Sequence, residues 1–271
     1  MKHHLMIAGT GRAGTSFLVQ YLHGCGLETH ISHHPEVQLS EHANSGLEDV
    51  PVGEGDLPYV LKTPWLFNFV DKVLNRDDIV IDAVVLPMRD IVEVASSRGM
   101  LEMRARYGDT SIPDECTQWE TWGATPGGVV YSLNPIDQAR ILALGFHQVV
   151  HAFVKRGVPI IFLDFPRLID DEEYLYESLK PVLGDTVDRS AALEVHRALA
   201  DRSLVRVGSE MNPDSPQSPS QEAPISFPPM KLLDRAALLR ELKSARRKLK
   251  EVGGGQMPLF KSLRRAFRRS Q

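Results

Sequence analysis

Residues 4–16 read His-Leu-Met-Ile-Ala-Gly-Thr-Gly-Arg-Ala-Gly-Thr-Ser, and this stretch decides the fold. His4 to Ala8 is a short apolar strand that runs straight into the glycines. From Ser16 onward Phe17, Leu18, Tyr21, Leu22 and Cys25 recur at helical spacing until Gly26 stops the helix. Gly9 to Ser16 therefore turns a strand into a helix. In that context glycines let backbone N–H groups close around an anion, and the helix N-terminus adds a favourable dipole. The expectation is a phosphate-binding loop.

Working outward, strands and helices alternate. Residues 29–56 are polar and read as loop; Tyr59 to Leu61 is a short strand, and Leu66, Phe69, Val70 and Val73 share one helical face. The apolar strand Ile79 to Leu86 precedes a helix capped by Asp90 that runs to about Met103. Asn134-Pro135 opens a long helix ending at Gly157. Val158 to Phe165 then reads as a buried strand, followed by helices near Glu172 to Leu179 and Ala191 to Ala200. This order predicts a P-loop-like α/β fold, a parallel sheet flanked by helices, over residues 1–205. Met211 to Met230 holds six of the eighteen prolines together with several serines. Residues 206–230 thus read as a flexible Pro/Ser-rich linker, and residues 231–271 as a basic amphipathic helical tail.

The chain has 271 residues and a net charge of −4, which hides a split. Beyond residue 230 there are thirteen Lys/Arg and three Asp/Glu, and before it eighteen and thirty-two. An acidic body with a cationic tail excludes a uniform nucleic-acid-binding domain. No signal-peptide core and no membrane-length apolar run is present, so a cytoplasmic protein is expected. Cys25 and Cys116 are too few for a disulfide framework or a zinc site and read as structural.

The loop nearly fits the nucleotide-binding pattern GxxxxGK[ST], but Thr15 stands in place of its lysine and Arg12 supplies a displaced cation. Arg12-Ala13-Gly14-Thr15-Ser16 resembles the 5′-phosphosulfate loop of sulfotransferases. A second signature of that family is a strand-end arginine with a serine eight residues on, both holding the 3′-phosphate of the donor. Arg89 and Ser97 in LPMRDIVEVASSRG have this spacing and context. Leu61-Lys62-Thr63-Pro64 resembles the family's Lys-Thr-His-Leu-Pro segment, whose lysine contacts the transferring sulfonate. Lys62 matches, whereas Pro64 takes the place of the histidine that serves many members as base.

The resemblance implies a transferase that uses 3′-phosphoadenosine 5′-phosphosulfate, with no metal expected. Gly11, Arg12, Ala13, Gly14, Thr15, Ser16, Arg89 and Ser97 would bind the donor, and Arg12 and Lys62 would neutralise the leaving phosphate. Other branches of the family draw a glutamate base from the segment between the loop and the second strand. Glu48 ranks first, because Asn44-Ser45-Gly46-Leu47-Glu48 resembles a segment of bacterial members; Glu41 ranks second, with Glu36, His34 and His42 behind.

Two rival functions remain at this stage. Ile160 to Asp164 mimics the apolar run and aspartate of a metal-dependent nucleotide kinase or NTPase, and the missing histidine permits a non-catalytic nucleotide-binding adaptor. His30, His33, His34 and His42 lack a recognised metal-ligand spacing, and His147 and His151, in an apolar stretch, read as packing residues. Trp119 and Trp122 suit either a sugar platform or a local core. The expected acceptor is a small molecule or glycan, including a lipid-linked one. The tail is expected to touch the inner membrane surface or to self-associate, and no nucleic acid is expected as a partner.

Overall fold

The computed structural model describes residues 1–39, 45–53, 55–107, 135–184, 187–205 and 242–249. The chain divides into two compact units, residues 1–226 and 227–271. The first unit is built on four parallel strands: β1 (Lys2–Ile7), β2 (Val60–Lys62), β3 (Ile79–Met88) and β4 (Ile160–Asp164), in the order β2-β1-β3-β4. Helix α1 (Thr15–Gly24) and the short α2 (His30–His33) lie between β1 and β2, and α3 (Val70–Leu74) precedes β3. Helices α4 (Ile91–Tyr107) and α5 (Pro135–Arg156) separate β3 from β4, and α6 (Arg167–Asp170), α7 (Glu172–Leu183) and α8 (Arg189–Leu199) follow.

Period-two side-chain alternation explains why the strands read as unbroken apolar runs. On β1, Leu5 and Ile7 join Leu18, Leu22, Leu168 and Leu179 in one core, while Met6 joins Leu61, Leu86, Val149 and Phe153 in a second core on the opposite face. Helices thus cover both faces, and each fully buried aliphatic side chain contributes roughly 1.5–3 kcal/mol of transfer free energy. The close fit of α1 to α8 depends on Gly24, where a Cβ would lie 2.5 Å from Val195 Cγ1.

The predicted alternation is present, with local differences. The 29–56 segment contains α2, capped by Thr29, whose hydroxyl accepts the Ile31 amide. The predicted helix across Leu66 to Val73 is instead a 3-10 turn at Leu66–Asn68 followed by α3. Asp90 caps α4 as expected, accepting the amides of Val92 and Glu93 at 2.9 Å. His147 and His151 are not packing residues. They lie on the exposed side of α5 with their rings parallel and 6.2 Å apart. The buried side is set by Leu142, Val149 and Phe153, and at 3.6 residues per turn the two histidines fall roughly 140–180° away from it. Glu41, His42, Cys116, Trp119, Trp122 and the 206–230 segment lie outside the described residues, as does the tail except for a helix, α9, over 242–249.

The strand order positions the site. From β1 the chain moves to β2 on one side and then to β3 on the other, so β1 and β3 diverge at their carboxyl ends. That divergence is where open parallel sheets form a ligand crevice.

Candidate functional site

The 9–14 loop leaves β1 and Arg89 leaves β3, so the two anion motifs meet at this crevice. Arg89 Nη1 donates to the Arg12 carbonyl at 3.1 Å, and Arg12 Nε donates to Ser97 Oγ at 3.4 Å. Ser97 is buried, and Arg89 is held by Glu93, which accepts its Nε–H at 2.8 Å, and by the Phe165 ring, whose centroid is 5.2 Å from its guanidinium carbon. Arg12 is therefore joined, across 77 and 85 residues of sequence, to Arg89 and Ser97 in one cluster.

The loop adds its own donors. Gly14 is the N-cap of α1 at φ 79, and it provides no side-chain cap, nor does the first turn carry an acidic residue. That turn borders an open cleft of about 260 Å³ lined by Gly14, Thr15 and Ser16 together with Arg12 and Arg89, and the first amides of a helix have no intrahelical acceptor. A Cβ at Gly14 would approach Leu168 Cδ1 to 3.1 Å and Phe165 Cδ2 to 3.2 Å, so glycine is needed for both the turn and the space. Arg12 itself lies at φ 52, a left-handed conformation costing an L-residue about 1–2 kcal/mol, which aims its side chain along the crevice towards Ser97. Phe17, Leu39, Phe165 and Leu199 give the cleft apolar walls, and Asp201 adds one carboxylate.

A second cluster adjoins the first through Ser16. Lys62, fully buried at the end of β2, donates to Ser16 Oγ at 2.8 Å, to Glu48 Oε1 at 3.1 Å and to the Gly46 carbonyl. Burial pulls the Lys62 ammonium below its ordinary pKa, opposed by the carboxylates of Glu48 and Asp49 and reinforced by the Arg12 charge. Glu48, the first-ranked base, is therefore the direct ion-pair partner of the lysine. Ser45, also on the cleft wall, has a buried hydroxyl without a hydrogen-bond partner among the described residues.

Asp49 is one of the residues that the sequence did not single out. Its amide donates to the Lys62 carbonyl at 2.7 Å, its Oδ2 accepts the Lys62 amide at 3.0 Å, and its Oδ1 pairs with His30 Nδ1 at 2.9 Å. It thereby pins the 45–49 segment to β2 and sets where Gly46 and Glu48 meet the lysine. The only sequence signal was its place beside Glu48; Gly46, at φ 145, was the more legible mark of a bend. Asp49→Ala is expected to cost about 1–3 kcal/mol in urea unfolding, because the buried Lys62 amide and the part-buried His30 ring lose their partner. Asp49→Asn, which keeps an acceptor for the Lys62 amide, is expected to cost less. The reverse order would contradict the clamp.

Asp164 ends β4 but does not line the cleft, and its amide donates to the Tyr174 hydroxyl at 2.7 Å. Among the described residues no three His, Cys, Asp or Glu side chains gather as a metal site would require. No helix among them is long and apolar enough to cross a membrane. No family model, curated protein or solved structure matches the chain.

Proposed function

We propose that the cleft binds 3′-phosphoadenosine 5′-phosphosulfate and that the chain transfers its sulfuryl group to an acceptor hydroxyl. One observation carries this reading: the Arg12-Ala13-Gly14-Thr15-Ser16 loop and the Arg89/Ser97 pair meet through two direct contacts in one crevice. A donor with phosphate groups at both ends of its ribose needs two anion subsites within one nucleotide's reach. The loop amides and Arg12 suit the 5′-phosphosulfate, and Arg89 with Ser97 suits the 3′-phosphate. Apolar walls beside a carboxylate, Asp201, suit a ligand that carries a flat base and hydrogen-bond donors as well as charge.

In the transfer the acceptor oxygen attacks sulfur, the sulfur–oxygen bond to the 5′-phosphate breaks, and 3′,5′-bisphosphoadenosine leaves. Charge grows on the leaving phosphate, so fixed cations and amides at that oxygen do most of the work. Lys62, with Arg12 and the first-turn amides of α1, would supply them. Glu48 takes the acceptor proton in this reading, and its pairing with Lys62 places acid–base and electrostatic groups side by side. A metal-dependent kinase is the poorer reading, since Thr15 replaces the lysine of the nucleotide loop.

A thermal-shift titration tests the assignment. 3′,5′-Bisphosphoadenosine is expected to raise the unfolding temperature at concentrations where adenosine 5′-monophosphate does not, because only the former fills both subsites. Equal shifts would remove the case for a 3′-phosphate site, and consumption of the phosphosulfate donor then separates an enzyme from a nucleotide-binding adaptor.

A further inference from the structure

The described part of helix α9, in the second unit, reads Leu-Lys-Ser-Ala-Arg-Arg-Lys-Leu over 242–249, with four cations and no acid. At 3.6 residues per turn Leu242, Ala245 and Leu249 fall within about 60° of one another, and the stripe is uncovered: Leu242 is 46% exposed and Leu249 71%. Arg246 and Lys248 border the stripe on either side, and Lys243 and Arg247 stand opposite.

From this arrangement we infer that α9 docks on an anionic lipid surface, independently of the nucleotide reading. The surface must take aliphatic side chains and cations on one side. Lipid acyl chains accept Leu242 and Leu249, while the stems of Arg246 and Lys248 lie along the interface and lift their charged heads to the phosphates. A second copy of the helix would bury the same leucines but would set Arg246 and Lys248 against their own kind. A nucleic-acid duplex would satisfy the cations and leave the leucines in water. The sequence that follows repeats the recipe, with Leu259, Phe260, Leu263 and Phe267 interleaved with Arg264, Arg265, Arg268 and Arg269. Each basic residue near an anionic leaflet is worth roughly fivefold in partitioning, so the four cations of α9 form a sizeable electrostatic anchor.

The test is cosedimentation of the full-length protein with vesicles of equal parts phosphatidylglycerol and phosphatidylcholine, against phosphatidylcholine alone. Binding to the former only, released by salt, is expected. Replacing Lys243, Arg246, Arg247 and Lys248 together by glutamine is expected to weaken it about tenfold or more. Leu242→Ser with Leu249→Ser is also expected to weaken it. Every replaced side chain is exposed, and an unchanged thermal unfolding curve verifies that the first unit is intact in both variants. Failure to bind anionic vesicles at low salt overturns the inference, as does binding indifferent to both variants. So does tighter binding to duplex DNA than to vesicles, or a dimer in sedimentation equilibrium that the serine variant abolishes without any vesicle binding.

Discussion

Replacing Arg89 by alanine is expected to weaken binding of 3′,5′-bisphosphoadenosine by about 1.5–3 kcal/mol, or roughly ten- to a hundredfold, because a charge-assisted bond to the 3′-phosphate is lost. Adenosine 5′-monophosphate, which lacks that group, is expected to lose far less. Arg89 also supports the loop by donating to the Arg12 carbonyl, so a small common loss is expected for both ligands. Arg89→Lys separates the two roles: it keeps the charge but loses the planar fork that serves Glu93 and the Arg12 carbonyl together. Equal losses for both nucleotides on Arg89→Ala would mean that the arginine only braces the loop.

The second large effect is expected at Glu48. Glu48→Gln should reduce sulfuryl transfer about a hundredfold or more while donor binding persists, if the carboxylate removes the acceptor proton. The same carboxylate is the counter-ion of a buried lysine, and the two roles leave different marks on the pH profile. The Glu48 charge raises the Lys62 pKa against the lowering effect of burial. Removing that charge lets the lysine pKa fall further, so a pure counter-ion role moves the alkaline fall of the rate to lower pH. A base role instead removes the acidic limb, since no carboxylate remains to be protonated there. If neither limb changes and turnover survives, the base lies elsewhere, with Glu41 the next residue to replace. Because one member of a buried pair is removed, the variant is also expected to lose stability, and turnover should be measured well below its unfolding temperature.

The parts of this site that depend on local chain geometry were legible in the sequence. Gly14 marks the turn because only glycine fits its φ and the space beside Phe165, and Arg12, Lys62, Arg89 and Ser97 follow strand ends or helix spacing that can be read one segment at a time. The contacts between segments were not legible. That Lys62 Nζ meets Ser16, Gly46 and Glu48 depends on a strand order in which β2 lies beside β1 and on the clamp made by Asp49, and neither follows from periodicity. Apolar composition similarly misled at His147 and His151, since the direction a helix faces is fixed by what packs on it. The role of Glu93 was hidden for a related reason. An acidic residue four positions after an arginine on a helix is ordinarily a surface pair, and only the near-complete burial of both side chains makes it part of the cluster.

The measurement that tests the account most directly is calorimetric titration with 3′,5′-bisphosphoadenosine in the presence of a chelator, set against ATP with Mg²⁺. The account predicts saturable one-to-one binding of the bisphosphate without metal, and ATP binding at least about tenfold weaker, because Thr15 replaces the lysine of the nucleotide loop and the proposed site at Arg89 and Ser97 suits a 3′-phosphate. Tight, metal-dependent ATP binding with no affinity for the bisphosphate would contradict it.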